Sequence, residues 1–268
     1  MVADKIEKFP DQIWGNHDLE RGKLYGVTLG DLRVWLGEFD KEIRVAYQHS
    51  TSFPDDYQVP EEIEWSRWSH MHEDVKLNFK PVYPNRSVLV RPESKFWLLK
   101  SAKTRIFIDL PLWIRISLKE KSDVRLIDLP TKILSNTWFG DFFEGELCYW
   151  LSTHARRDAA EAESAPFMIR CPIVLVNKSE EDLLVEKICM RVNRMTMFID
   201  NGQLWSDEVL IQYKGGREGS QIRQNATPPE EVPRAKLIRS AENATKKSFA
   251  AKTFATLKDI PGFGIIMD

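Results

Sequence analysis

Two short stretches carry residue types at spacings that suit chemistry. The first is Ser69-His-Met-His-Glu-Asp74. On an extended strand His70, His72 and Asp74 share one face, with the two imidazoles about 7 Å apart. Such a pair supplies two metal ligands when a third arrives from another element. The alternation of Val75, Leu77 and Phe79, extended backward, sets both histidines on the polar face that carries Lys76. Solvated histidines are the expectation there. The carboxylate that often follows a His-x-His pair is also missing, since positions 76 and 77 are lysine and leucine. No metal is assigned, and His70 and His72 stay as candidates for a metal-dependent alternative.

The second stretch is Glu144-Gly145-Glu146. Carboxylates two residues apart on a strand fall near the 6.5–9.5 Å separation of an inverting glycosidase pair. Such pairs normally face each other across a cleft from different elements, so a turn leading into a strand from Leu147 to Leu151 is the plainer reading. Cys148 and His154 form no dyad either, because six residues of strand separate them by about 20 Å. The three cysteines, Cys148, Cys171 and Cys189, match neither a CxxC pair nor a disulfide framework. No serine-nucleophile elbow, P-loop or dinucleotide fingerprint is present. The glycines of 215–219 read as a strand-exit turn. No catalytic residue is assigned and no cofactor is expected.

Aromatic residues are the stronger signal. The chain has nine tryptophans. Phe107, Trp113 and Arg115 share one parity of a long alternating run, and Trp138, Phe139, Phe142 and Phe143 crowd Gly140. Aromatics with arginine are enriched in interface cores and ligand sites, although Trp and Phe are also ordinary core residues and packing of this face on the other sheet is the plainer expectation. Glu144, Glu146 and Tyr149 lie beside the second group, and complete the candidate binding set of Phe107, Trp113, Arg115, Trp138, Glu144, Glu146 and Tyr149.

These residues need a scaffold, and its period is two. Ile106, Ile108, Leu110, Leu112, Ile114, Ile116 and Leu118 occupy one parity between Thr104 and Lys119. Successive strand side chains point to opposite faces, so this run is a strand with one aliphatic face. Pro111 cannot donate to a ladder, which implies an edge, a bulge or a switch between sheets at that point. Shorter alternating runs surround it, at 32–36, 43–47, 75–80 and 187–192. Asn201-Gly202 between two further runs is a hairpin signal, because both turn residues need positive φ. The segment 155–165 reads as a loop or one short helix.

The expected architecture is mainly β, as two packed antiparallel β-sandwich lobes of the immunoglobulin-like or jelly-roll kind. Their expected limits are 1–120 and 121–216, followed by a polar linker and helical tail over 217–268. The helix is placed at Ala235–Lys258, where Ala and Lys are frequent and Lys246, Lys247, Lys252 and Lys258 offer a basic surface.

With 268 residues, 43% hydrophobic, the chain has the material for a sizeable core. Its 38 basic and 40 acidic side chains leave a net charge of −2, which provides no field for nucleic acid. Charges in Met1–Pro10 do not fit a secretory signal, and no uncharged apolar stretch is long enough for a membrane helix. A cytoplasmic protein is expected.

Leu129 to Trp150, LPTKILSNTWFGDFFEGELCYW, followed by PIVLVNKSEEDLLVEKICMRVNRMTMFIDNG, resembles the uncharacterised family called domain of unknown function 432. WSRWSHMHEDVKLNFKPVYP and DLPLWIRISL fit the same likeness, which spans about 23–215. It departs from the family at Asp141-Phe-Phe143, where a proline-containing turn is expected. The resemblance implies a β-rich fold and no established activity. Trp138, Gly140, Glu144, Glu146, Cys148 and Tyr149 are the shared motif positions. Two functional expectations follow. One is a non-catalytic binding or assembly module that uses the Trp113 and Trp138 surfaces on a protein partner or a second copy. The other is a hydrolase-like or metal-dependent enzyme built from His70, His72, Glu144 or Glu146.

Overall fold

The computed structural model describes residues 6–10, 12–71, 73–140, 143, 145–161, 165–215, 220–242, 248–251 and 253–254. His72, Phe142, Glu144, residues 216–219 and Lys246, Lys247, Lys252 and Lys258 lie outside these. The alternating segments become strands, and the chain divides into two compact units, 1–83 with 111–133 and 84–110 with 134–268.

The first unit holds two sheets. One runs in the order Ile6–Lys8, Leu24–Leu29, Leu32–Phe39, Glu42–His49, Ser66–Ser69, and the other Val124–Pro130, Trp113–Leu118, Val75–Val82, Gly15–Leu19. Their apolar parities are buried, among them Leu32, Val34 and Leu36 on one sheet and Leu77, Ile114 and Ile116 on the other. Phe9 stacks on Phe79 at 4.9 Å and meets Tyr25 edge-on, which ties the two sheets together.

In the second unit the largest sheet runs Lys236–Arg239, Met197–Asp200, Gln203–Ser206, Met168–Asn177, Val209–Tyr213, Ser220–Gln224, Ser248–Ala251, with Lys103–Pro111 also paired to Met168–Asn177. A second sheet has the order Asn136–Phe139, Glu146–Thr153, Val88–Pro92, Ile188–Met190, and Phe96–Leu98 pairs with Leu183–Val185. Antiparallel ladders predominate. Parallel ones nonetheless join Glu146–Thr153 to Val88–Pro92 and Met168–Asn177 to both Gln203–Ser206 and Val209–Tyr213. Partners remote in sequence meet side by side in these ladders, and no tight turn sets their direction.

Three local expectations are resolved by the strands themselves. The run 104–119 is two strands, Lys103–Pro111 and Trp113–Leu118, which belong to different sheets and different units. Pro111 thus marks a switch between sheets. Asn201 and Gly202 have φ of 46° and 82°, the positive values that the hairpin requires. Segment 155–165 holds one 3-10 turn, Ala159–Glu161, started by the Asp158 carboxylate accepting the Ala160 N–H.

The helical tail is overturned. Lys236–Arg239 is a strand on Met197–Asp200, and Ser248–Ala251 is a strand on Ser220–Gln224. The only helical turns among the described residues are the two of 3-10 type at Ala159–Glu161 and Val192–Arg194. Alanine and lysine favour helix by only tenths of a kcal/mol per residue, whereas each open sheet edge offers a row of backbone hydrogen bonds.

A buried acid in this unit makes its stability depend on pH. Asp207 is fully buried, and its two carboxylate oxygens accept the backbone N–H groups of Thr196 and Ala226 at 2.9 and 3.1 Å. Burial pushes its pKa up to about 6, against the pull of those hydrogen bonds. The native state therefore holds a proton that the unfolded chain has released between about pH 4 and 6. This contribution is fully present at low pH and is lost as pH rises through 6. Relative to Asp207→Asn, the wild type is expected to lose about 2 kcal/mol between roughly pH 4.5 and 7.5, read from urea midpoints. A difference that stays flat with pH would exclude Asp207 as the source.

Candidate functional site

The strand Glu146–Thr153 presents different chemistry on its two faces, because its side chains alternate. Glu146, Cys148 and Trp150 take one side, and Leu147 and Tyr149 the other. The ladders place Trp150 opposite Leu89, Leu89 opposite Cys189, and Glu146 opposite Phe139. Directly paired residues share a face, so these residues gather on one side of the sheet. Leu89, Phe139, Cys148 and Cys189 form a buried cluster there, with Trp150 packed against it.

Within that cluster the Cys148 and Cys189 sulfurs and a Glu146 carboxylate oxygen all lie within 4.8 Å of one another. Cys189 Sγ is 3.8 Å from Glu146 Oε1, and Cys148 Sγ is 3.7 Å from the Glu146 carbonyl oxygen. Arg191 Nη2 donates to Glu146 Oε1 at 2.7 Å and Ser87 Oγ donates to Oε2 at 3.0 Å, so the carboxylate is held from both sides. A hydrogen bond from the Cys189 thiol pulls the Cys148 pKa below the ordinary thiol value, although burial opposes it. The same contact, with burial, pushes Cys189 well above that value. Two sulfurs and a carboxylate are a donor set for a soft cation, with the guanidinium as counter-charge to the carboxylate.

Trp150 also lines a cleft of about 330 Å³ with Arg91, Pro92, Glu93, Lys95, Glu186 and Lys187. Lys187 Nζ sits 5.6 Å from the centre of the Trp150 ring, a cation–π distance. Glu93 pairs with His154 Nδ1 at 2.9 Å, which engages that histidine away from Cys148.

The other face of the strand is partly open. Trp138 and Leu147 are directly paired across the ladder and are 53% and 45% exposed. Tyr149, opposite Asn136, donates from its hydroxyl to Asn85 at 2.9 Å, and Arg86 lies over its ring while donating to Asn136. Phe143 is exposed nearby in sequence.

The remaining sequence candidates are dispersed. Phe107 is buried with Phe198 and Trp205 in the second unit. Trp113 and Arg115 belong to the first unit, where Arg115 makes a two-pronged ion pair with Asp128 at 2.8 and 2.7 Å. The break at Pro111 is the reason that Phe107 and Trp113 do not share one strand face. Solvation of His70 is overturned. Its side chain is buried, with Nε2 3.6 Å from a Glu38 carboxylate that also receives Arg21. The alternation from Val75 does not extend back to it, because Ser66–Ser69 and Val75–Val82 are separate strands in separate sheets. Sequence reasoning found Glu146 but not its companions Cys189, Arg191 and Ser87. No local pattern marks them, since Val88–Pro92 must first lie between the two cysteine-bearing strands.

No helix among the described residues is long and apolar enough to cross a membrane. A family model described as protein of unknown function (DUF432) matches residues 13–258. No curated protein and no solved structure matches the chain.

Proposed function

Because the chain belongs to the DUF432 family, whose description carries no activity, we propose its function from its own surface: an assembly module that binds a second copy of itself. The observation that carries this is the exposed cross-strand pair Trp138 and Leu147. Apolar side chains that are half exposed and adjacent recover free energy when a partner covers them, at about 25 cal/mol per Å². Tryptophan, tyrosine and arginine are the residues that dominate binding energy; Trp138 and Tyr149 share one face of this hairpin, and Arg86 lies over the Tyr149 ring. Asn136–Phe139 is also the terminal strand of its sheet. An edge strand offers unpaired backbone groups, and its own two-fold mate is a complementary partner. A protein surface fits better than nucleic acid, given the balanced charge of −2. A cytoplasmic setting suits Cys148, Cys171 and Cys189, none of which is in a disulfide.

Sedimentation equilibrium tests the proposal. The wild type is expected to form a dimer, and Trp138→Ala to raise its dissociation constant by about 30-fold, the scale of a 2 kcal/mol hot spot. Leu147→Lys, with circular dichroism to verify folding, is expected to give monomer. A wild type that stays monomeric at tens of micromolar overturns the reading. The metal-dependent alternative now has its own specific support in the Glu146, Cys148 and Cys189 cluster.

A further inference from the structure

We infer that Glu146, Cys148 and Cys189 form a binding site for a thiophilic divalent cation of the zinc class, held by two sulfurs and one carboxylate oxygen. The inference is independent of self-association, since these side chains lie on the opposite face of the strand from Leu147.

Distance is the first argument. Zinc–sulfur bonds of about 2.3 Å and zinc–oxygen bonds of about 2.1 Å in a tetrahedron set donor atoms roughly 3.5–3.8 Å apart. The three donor atoms already lie within 4.8 Å of one another, so small side-chain rotations close the remainder.

Backbone spacing is the second argument, because it separates a metal pair from a disulfide. Cys148 and Cys189 stand on strands that flank Val88–Pro92, not on adjacent strands. Two ladder spacings of about 4.8 Å keep their backbones roughly 10 Å apart. A disulfide needs Cα atoms within about 4.4–6.8 Å. The two sulfurs therefore approach from too far apart for a bond between them, and at a reach that suits a bridging ion.

Charge is the third. Two thiolates and a carboxylate sum to −3, which a divalent cation and the Arg191 guanidinium balance to zero. The loaded site therefore carries no net charge, which avoids the cost of an unpaired charge beside the apolar cluster. Arg191 and Ser87 already orient Glu146 in the way that outer partners fix metal ligands. Leu89, Phe139 and Trp150 pack around the two cysteines as an apolar surround. Thiol ligands bind as thiolates, so binding releases protons and affinity rises with pH. Three protein ligands leave a fourth position for water or an exogenous donor, the arrangement of zinc sites that perform chemistry.

The full chain, stripped by chelator under reductant, is titrated with Co²⁺ and then with Zn²⁺. The expected result is one equivalent of Co²⁺ with a thiolate-to-cobalt charge-transfer band, displaced by Zn²⁺. Cys148→Ser and Cys189→Ser are each expected to weaken binding by more than about 100-fold, beyond the 10–100-fold effect of losing an outer partner. Cys171→Ser is the control, because that thiol is buried in the other sheet of this unit and should leave the band unchanged. Should a cysteine variant fail to fold, Glu146→Gln decides the matter. Its side chain is 39% exposed, so the fold tolerates it, and Co²⁺ affinity is expected to fall by at least about 10-fold. Absence of the band in the wild type, its persistence in the Cys148→Ser/Cys189→Ser double variant, or unchanged affinity in folded Glu146→Gln overturns the site. In that event the two cysteines are simply small apolar core residues.

Discussion

Asp109→Ala is expected to lower the unfolding free energy by about 3–5 kcal/mol, the scale for breaking a buried ion pair from one side. Asp109 lies on Lys103–Pro111, and its two oxygens receive Arg170 Nε at 3.1 Å and Arg156 Nη1 at 3.3 Å. The Arg170 side chain is 7% exposed, and its guanidinium lies 5.4 Å from the centre of the Trp205 ring. Its Nη2 is buried without a hydrogen-bond partner among the described residues, so Asp109 is its principal counter-charge. Burial raises the Asp109 pKa, and Arg170 works in the opposite direction. The pair is thus held in a site that penalises charge, which is where an orphaned guanidinium does the most damage. Urea denaturation near neutral pH reads the loss. The double variant Asp109→Leu/Arg170→Met, which removes both charges and keeps apolar volume, is expected to recover most of it. A single variant within about 1 kcal/mol of wild type would show that water already solvates the Arg170 guanidinium.

Trp35→Ala should be comparably severe, at about 3–5 kcal/mol for deleting a fully buried large aromatic. Trp35 is 1% exposed and packs on Leu24 and Ala46, with Phe39, Val59, Ile63 and Trp65 around it. Its indole N–H donates to the Tyr57 carbonyl at 2.6 Å, which pins the segment between Glu42–His49 and Ser66–Ser69 onto the sheet. Arg33 reinforces that segment, with its guanidinium 4.5 Å from the rings of both Phe53 and Tyr57 and a hydrogen bond to the Pro54 carbonyl. Truncation therefore opens a cavity and also leaves the Tyr57 carbonyl without its donor. Trp35→Phe separates the two effects, since it keeps most of the volume and loses only the hydrogen bond, worth about 1 kcal/mol. Thermal and urea unfolding of both variants provide the comparison. Equal losses in the two would mean that the hydrogen bond, not the packing, dominates.

Much of the scaffold was legible because strand formation leaves a local record. The alternation around Ile106–Leu118 marked extended chain, Pro111 marked an irregularity in it that left edge, bulge and sheet switch open, and Asn201-Gly202 marked a hairpin whose φ values agree. The same alternation separates Cys148 from Tyr149, so the presence of two chemically different faces on Glu146–Thr153 follows from residue order alone. These features depend on contacts within a few residues, where backbone sterics and side-chain period are decisive.

Only the tertiary structure decided which strands lie side by side. Cys189 meets Cys148 because Val88–Pro92 takes a parallel partner on one edge and an antiparallel partner on the other. His70 is buried against Glu38 because its chain leaves one sheet before entering the next. The carboxy-terminal segments are strands because open sheet edges were available to them. Ladder partners are selected by burial and hydrogen bonding summed across the whole unit, and that selection leaves no mark in the spacing of neighbouring residues.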